Sequence, residues 1–338
     1  MITVQTASRL HFGLLSFPCE YWPNHLGQVS MPARRFGGVG LMVESPGIVL
    51  RFRPANTWLA QGPLADRALA FARSFVGCMG MVDHVLSGAL KKLMSPPQEI
   101  FVERGTPEHV GLGTGTQLGL AVARGLAEVW KLPVEAQDMF FGVRGRGRSA
   151  LGYHGFLQGG FLVEAGQKNQ STISPLVVRL PFPDEWRIVL VIPPGSGVHG
   201  MEEKEAFQQL LTEGIPLEQI ERLCRLTLLG LLPALIELDL KTFGEALFDY
   251  NSLAGQAFAK FQGGTYASPR VAELIQFIRR QEIMGVGQSS WGPTVFAVVE
   301  NESRGKELAS QIRGAFGLQE HEVIVTAACN HGATVTQC

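Results

Sequence analysis

The stretch from Gln98 to Trp130 constrains the fold of this chain most strongly, because it places a glycine-rich loop between a strand and a helix. Its first residues alternate in hydrophobicity as a half-buried strand does, with Ile100 and Val102 on one face. After the loop, apolar residues recur at helical spacing, and Pro133 follows the end of that pattern. The sequence therefore predicts a strand, a tight loop and a helix in this order.

The loop has the composition of an anion-binding turn. It contains three glycines and two threonines and opens directly onto the helix N-terminus, where backbone N–H groups and the helix dipole favour negative charge. Glycine lets the backbone approach a phosphate closely. The loop matches neither the Walker A pattern nor the dinucleotide fingerprint, and an ordinary tight connection is the alternative. We predict phosphate binding by Gly111, Gly113, Thr114, Gly115, Thr116 and Gln117.

Composition excludes several classes of protein. The 338 residues are 46% hydrophobic and 17% charged with a net charge of −1, so a large core is expected but no attraction to nucleic acid or anionic membranes. The five cysteines are scattered without a C-x-x-C pair, which favours free thiols in a reducing cytoplasm over disulfides or zinc. The longest apolar run, Leu226 to Leu240, contains Pro233 and Glu237 and is therefore predicted to form core helices and not a membrane span.

The order of predicted elements divides the chain in two. Strands and helices surround the glycine loop in residues 1–180, and residues 181–338 read as strand, helices, two strands, helix and strand. This order predicts an α+β protein with two domains. Residues Leu64 to Leu93 are expected to form two helices with a break near Gly77 to Gly80, and Phe17 to Phe36 a long loop.

Two groups of basic residues are candidates for ligand binding. Arg9 and His11 are two positions apart on a predicted strand and so share one face, although a surface arginine and a hydrogen-bonded core histidine are the alternative. Arg144, Arg146 and Arg148 alternate with glycines, which is unusual for a solvated charge run. Since arginine recognises phosphate and carboxylate groups bidentately, this segment is predicted to bind a ligand.

The sequence leaves two interpretations of the acidic residue Glu164. Glu164 ends a strand that begins with glycines, and it is either a surface residue or a metal ligand.

A second loop of small residues, Gly285 to Val295, completes a resemblance to a known superfamily. With the first loop it resembles the paired glycine motifs of the GHMP kinase superfamily. This resemblance implies a ribosomal S5 domain 2-like N-terminal half and a ferredoxin-like α/β sandwich as the C-terminal half. Within the superfamily, the chain looks like the β-ribofuranosylaminobenzene 5′-phosphate synthases in residues 8–15, 113–117, 145–149, 159–161 and 287–294.

The chain departs from the kinases of that superfamily in its carboxylates. Many members carry Ser-Gly-x-Asp before a Gly-Gly pair, with a magnesium-binding Glu eleven residues before the Asp. A gapless register on Ser149 puts Gly152 and Phe141 at these two positions. Phosphoryl transfer is difficult without a base and a magnesium carboxylate, so the departure points away from a kinase.

The resemblance implies a condensation of 5-phosphoribosyl 1-diphosphate with 4-aminobenzoate, with release of carbon dioxide and diphosphate. The product would be a C-riboside 5′-phosphate for tetrahydromethanopterin biosynthesis. The departing diphosphate requires N–H donors and, we expect, Mg²⁺. An ATP-dependent small-molecule kinase and a non-catalytic phosphometabolite-binding protein remain alternatives, and 4-hydroxybenzoate is an alternative acceptor.

We predict that the protein is cytoplasmic and expect a homodimer.

The resemblance also suggests roles for individual residues. Trp291 could form an apolar wall for the benzoate ring, with a core tryptophan as the alternative. The catalytic candidates are Arg9, His11 and Arg146, the arginine segment adds Arg144, Arg148 and Ser149 to the phosphate site, and the substrate site comprises Gly287, Gln288, Ser289, Ser290 and Trp291.

Overall fold

The structure, a computed structural model, describes residues 1–15, 34–82, 96–144, 150–168, 172–198 and 200–337. Most of the predicted loop over residues 17–36 therefore lies outside the described residues, as does the segment 145–149. Within the described ranges, no helix combines the length and the apolar character needed to cross a bilayer.

The first sheet contains the strand that carries Arg9 and His11. Its strands in the described part of the chain are β1 (Ile2–Leu14), β2 (Gly38–Pro54), β3 (Leu59–Gln61), β4 (Gln98–Arg104), β5 (Phe161–Glu164), β6 (Leu176–Leu180) and β11 (Thr334–Gln337). The long β2 pairs with β5 at one end and with β4 at the other, while β1 runs antiparallel beside it. Because β1 continues to Leu14, the expected shared face of Arg9 and His11 is realised.

Helices of the first half pack on this sheet. Those in the described part of this half are α1 (Ala65–Val82), α2 (Thr114–Trp130), α3 (Ala136–Arg144) and α4 (Ala150–Gln158). The strand, loop and helix predicted around the glycine loop are confirmed by β4 and α2. The break predicted near Gly77 to Gly80 is wrong, because α1 runs through it. Ala68, Ala72 and Phe75 are fully buried, and their packing outweighs the helix cost of about 1 kcal/mol for a glycine.

As far as the structure describes it, the second half forms a four-stranded antiparallel sheet with helices. Its strands are β7 (Arg187–Val191), β8 (Val286–Gln288), β9 (Val295–Val299) and β10 (Val323–Thr326), in the order β10-β7-β9-β8. Its helices are α5 (Gly200–Glu213), α6 (Leu217–Leu226), a π-helical turn (Thr227–Leu231), α7 (Leu232–Ile236), α8 (Leu240–Gln256), α9 (Ala259–Gln262), α10 (Pro269–Arg280) and α11 (Glu302–Phe316). The predicted order of elements and the α+β class are confirmed. The final strand β11 nevertheless pairs with β1 in the first sheet, and the boundary at 180/181 stays a prediction.

Helix α8 connects the two sheets at the point where the cavity lies. The buried amide of Asn251 donates hydrogen bonds to the carbonyls of Phe12 (2.6 Å) and Gln288 (2.8 Å) and accepts one from the Gln288 N–H (2.9 Å). The hydroxyl of Tyr250 donates to the Gly13 carbonyl at 3.0 Å. These satisfied buried groups hold the end of β1 against β8.

Candidate functional site

A cavity of about 450 Å³ lies between the two glycine loops and the end of β1. Its walls come from both halves of the sequence, so it exists only in the folded chain. The structure brings most of the predicted site residues together here. The predicted residues that line it are Arg9, His11, Gly111, Gly113, Thr114, Gly115, Thr116, Glu164, Gln288, Ser290 and Trp291.

The first turn of α2 lines a side of the cavity that is suited to bind an anion, and we call it the anion-binding side. Gly113 precedes the helix in a left-handed conformation, with φ +72°. The next two N–H groups, from Thr114 and Gly115, have no acceptor within the helix and lie at the positive end of its dipole. The Thr114 hydroxyl donates to the Pro107 carbonyl at 2.6 Å. That hydroxyl therefore holds the loop, and the backbone is the part suited to bind phosphate.

Arg9 packs directly against this loop. Its backbone N–H donates to the Leu112 carbonyl at 3.0 Å, and its Nη2 lies 3.5 Å from the Gly111 carbonyl. A Cβ atom at Gly113 would come within 3.1 Å of the Arg9 Nε. Gly113 thus allows the guanidinium group to lie beside the helix N-terminus, where its charge adds to the positive end of the helix dipole.

The two glycine loops touch each other through their backbones. A Cβ atom on Gly111, whose φ is +93°, would lie 2.2 Å from the Ser289 carbonyl oxygen. One on Gly292 would lie 2.0 Å from the Val110 carbonyl carbon. At Gly111 the contact between loops, and not the approach of a phosphate, is therefore what requires glycine.

His11 lies on the same face of β1 as Arg9. Desolvation and then the positive charge of Arg9 hold the pKa of His11 well below its usual value. Its imidazole is therefore neutral near pH 7 and can donate one hydrogen bond while accepting another. Its backbone N–H donates to the Ser289 hydroxyl at 3.0 Å, and its carbonyl accepts from the Ser290 N–H at 3.0 Å.

Glu164 is 4% exposed, so the interpretation as a surface residue is wrong. Burial raises the pKa of Glu164 to about 7, against opposing effects of the Ser174 hydroxyl, the Leu151 backbone and the charge of Arg9. Its Oε2 has no hydrogen-bond partner of normal geometry among the described residues. A buried oxygen of this kind at a cavity wall is available to a ligand.

Part of the cavity lining is aromatic. Trp291 contacts Phe258 and Phe207 with ring centroids 4.4 Å and 5.7 Å away, and Phe207 contacts Phe36 at 5.2 Å. We call Phe36, Phe207, Phe258 and Trp291 the aromatic wall, because all four line the cavity. Only Trp291 was predicted. The other three come from separate segments and belong to no local motif.

Some of the predicted site residues do not line the cavity. The side chain of Gln117 is buried, donates to the Gly152 carbonyl at 2.8 Å and accepts from the Thr6 hydroxyl. It therefore links α2 to α4 and β1 and does not line the cavity, in contrast to the prediction. Gly287 and Ser289 lie behind the cavity wall, where Gly287 allows Asn251 to approach the β8 backbone.

Most of the arginine segment lies outside the described residues, and the ligand-binding role of Arg144 also stays a prediction. Arg144 ends α3, whereas Arg146, Arg148 and Ser149 lie outside the described residues, so their ligand-binding roles stay predictions. Sequence reasoning missed Arg67, which lines the cavity and forms an ion pair with Glu108 of the first loop. The separation of 41 positions between the two partners hides this pair from a motif search.

The described residues do not provide a complete magnesium site. No group of three or more His, Cys, Asp or Glu side chains is placed to hold a metal within the described ranges. Glu164 lies close enough to Arg9 for the two charges to interact, and a guanidinium opposes a second cation there. Mg²⁺ commonly binds through substrate phosphates and one or two carboxylates, so any Mg²⁺ here would depend mainly on diphosphate oxygens.

Comparisons with known proteins agree with this architecture. The model of the GHMP kinases N terminal domain matches residues 78–147, and that of the GHMP kinases C terminal domain matches residues 231–317. Homoserine kinase from Cytophaga hutchinsonii has a similar structure, with a TM-score of 0.64 and 15% identity over 99% of this chain and 97% of that chain. The fold and the paired glycine loops define a member of the GHMP kinase superfamily.

Comparison with archaeal relatives identifies the family within this superfamily. A β-ribofuranosylphenol 5′-phosphate synthase from Archaeoglobus fulgidus is 31% identical over 99% of both chains, and one from Methanothermobacter thermautotrophicus is 28% identical over 98% of both. This chain belongs to the β-ribofuranosylphenol 5′-phosphate synthase family. The predicted resemblance and the predicted pentosyltransferase type of enzyme are thereby confirmed. The names of these relatives contain a phenol where the predicted family name contains an aminobenzene.

Proposed function

We propose that this protein transfers the 5-phosphoribosyl group of 5-phosphoribosyl 1-diphosphate to the ring of a 4-substituted benzoate, with loss of carbon dioxide. One observation carries the proposal: a single cavity has an anion-binding side and an aromatic wall. Arg9 and the first turn of α2 form the first side, and Phe207, Phe258 and Trp291 belong to the second. Such a cavity matches a substrate pair that combines a sugar diphosphate with an aromatic acid.

The diphosphate is the leaving group, and it departs with the electron pair of the anomeric C–O bond. Its growing negative charge is stabilised by the Arg9 guanidinium and by the N–H groups of Thr114 and Gly115. These donors are in place before the reaction, so no reorganisation is needed when the charge develops. Neutral His11 is suited to orient an oxygen atom of this substrate and not to donate a proton.

The acceptor ring attacks from the other side. Direct displacement needs the acceptor on the face of the ribose opposite the diphosphate, and the aromatic wall is the part of the cavity lining suited to hold its ring. The ring carbon that bears the carboxylate forms the new C–C bond with its π electrons. The bond to the carboxylate then breaks, carbon dioxide leaves, and its electrons restore the aromatic ring.

We retain 4-aminobenzoate as the predicted acceptor, and the product name of the relatives makes 4-hydroxybenzoate the alternative to test beside it. Both carry an electron-releasing group opposite the attacking carbon. Mg²⁺, which would neutralise part of the diphosphate charge, is the proposed cofactor. Tetrahydromethanopterin biosynthesis, a homodimer and a cytoplasmic location remain predictions.

The test is release of labelled carbon dioxide from each carboxyl-labelled benzoate, with and without 5-phosphoribosyl 1-diphosphate, in the presence of Mg²⁺. We expect release only when the diphosphate is present, together with stoichiometric diphosphate. Absence of release with both acceptors would contradict the proposal. ADP formation from ATP with an alcohol acceptor would support a kinase instead, and tight diphosphate binding without turnover would support a binding protein.

A further inference from the structure

Glu164 lies where the anion-binding side meets the aromatic wall. It is the last residue of β5 and pairs with Gly38 of β2. The His11 ring packs on that glycine, since a Cβ atom there would lie 3.0 Å from the His11 Nε2. The backbone of Glu164 also packs on Gly37, which is the neighbour of Phe36 in the aromatic wall. In the proposed arrangement, the reacting centre shared by the two substrates lies near this junction.

Few charged groups in the described part of the chain approach this carboxyl group. Arg9 and His11 approach from β1, and Tyr250 interacts with it from α8. The facing end of β2, Gly38 to Leu41, has no ionisable side chain.

Other nearby polar groups have their own partners. Arg179 of β6 donates to the carbonyls of Gln158 and Asn330, and His154 of α4 contacts the Ser174 carbonyl. Among the described residues, Arg9 is the cation whose charge lowers the pKa of Glu164.

One carboxyl oxygen of Glu164, Oε2, lacks a hydrogen-bond partner of normal geometry among the described residues of the free protein. Oε2 is buried, and burial of a carboxyl group without full compensation is unfavourable. Such unfavourable burial is common for groups that act on a ligand.

We propose that Glu164 is a catalytic carboxylate that touches the ribosyl ring and stabilises its positive charge while the bond to diphosphate breaks. This role rests on the proposed function. Cleavage of the anomeric C–O bond separates an anionic diphosphate from an oxocarbenium-like ribosyl group. Arg9 faces the anion and Glu164 faces the cation, so the neighbouring pair matches both products of the bond cleavage. The carboxylate takes no proton and forms no covalent bond, because the ring carbon of the acceptor supplies the electrons for the new C–C bond.

This role requires the ionised carboxylate. Because burial raises the pKa of Glu164 to about 7, kcat/KM should increase as the pH rises through that value. The dependence should be the same for both acceptors, since both react with the same ribosyl group.

The experiment compares Glu164→Gln, which removes the charge but keeps the shape, with the wild type. We expect kcat to fall by about 100-fold with either acceptor, comparable to loss of one electrostatic contact in a transition state. The Kd of 5-phosphoribosyl 1-diphosphate, measured by calorimetry, should change by less than about threefold, and the rise in kcat/KM near pH 7 should disappear. Glu99→Gln is the matched control, because Glu99 is also buried but is bonded to Arg53 and Gln61 outside the cavity.

Four results would overturn this role. Unchanged kcat would exclude it, and a loss with only one acceptor would place Glu164 at the 4-substituent. A large rise in the Kd of the diphosphate would indicate ground-state binding, and recovery of kcat at high Mg²⁺ would indicate a metal ligand. Absence of turnover by the wild type with both acceptors overturns the proposed function itself, a result that needs no Glu164 variant.

Discussion

The Ser289 hydroxyl donates a hydrogen bond of 2.8 Å to the Gly111 carbonyl, across 178 positions of sequence. The same oxygen accepts the N–H of His11 at 3.0 Å. One buried hydroxyl thus connects the second glycine loop to the first and to β1. Because the three segments form the cavity together, its shape depends on this contact.

Ser289→Ala should therefore affect both stability and catalysis. It removes the acceptor of the partly buried His11 N–H and one of the donors to the Gly111 carbonyl, at a cost of about 1–3 kcal/mol. We expect the KM for 5-phosphoribosyl 1-diphosphate to rise by about 10-fold, equivalent to about 1.4 kcal/mol. Ser74→Ala is the control, since its hydroxyl donates to the Gly142 carbonyl at 2.8 Å away from the cavity. Urea denaturation and steady-state kinetics would measure both effects, and an equal rise in KM for the two variants would contradict the link.

Gly113→Ala should weaken diphosphate binding beyond its effect on the backbone. A left-handed alanine costs roughly 1 kcal/mol, and its Cβ would also press on the Arg9 side chain at 3.1 Å. Gly317→Ala provides the control, because Gly317 has a similar φ of +65° with no neighbour within 4 Å of the added atom. We expect similar losses of stability but an increase of about 10-fold in the diphosphate Kd for Gly113→Ala alone. Equal Kd values in calorimetry would mean that Arg9 does not contact the diphosphate.

Phe258→Ala should raise the KM for the aromatic acceptor by about 10-fold and leave the KM for the diphosphate within about twofold. The phenyl ring packs 4.4 Å from Trp291 and lines the cavity. Phe277 is also half-buried and packs 5.3 Å from Phe316, so Phe277→Ala controls for a general loss of packing. If Phe258→Ala instead raised both KM values equally, the aromatic wall would not be the acceptor subsite.

Glu164→Gln should stabilise the protein above neutral pH. The pKa of Glu164 is raised from 4.5 to about 7 in the folded state, so its favourable contribution is complete below pH 4.5 and is lost as the pH rises to about 7. The shift corresponds to about 3 kcal/mol. Glutamine does not titrate, so the variant does not lose stability in this way. The unfolding free energy of Glu164→Gln minus that of the wild type should therefore increase by about 3 kcal/mol between roughly pH 4 and pH 8.

Denaturant titrations across this pH range measure that difference. The lowered pKa of His11 acts in the opposite direction, since its contribution is present above about pH 6.5 and is lost as the pH falls. Because both proteins retain His11, subtraction removes this effect. A difference that does not vary with pH would show that folding does not raise the pKa of Glu164, and the expected pH dependence of catalysis would then be wrong.

Local patterns determined much of this protein from the sequence alone. The strand, loop and helix from Gln98 to Trp130 follow from periodicity and from three closely spaced glycines, which act within a few residues. The shared face of Arg9 and His11 follows from the two-residue repeat of a strand. The two glycine loops also carried the resemblance that identified the superfamily, because their backbone geometry restricts the residues that can occupy them.

Only the tertiary structure decided which side chains meet. It continued α1 through Gly77 because distant residues bury that helix, and it turned Gln117 toward Gly152 and away from the cavity. It also assembled the aromatic wall and buried Glu164 beside Arg9. Burial, charge state and ring contacts depend on segments far apart in the chain, which local periodicity does not encode.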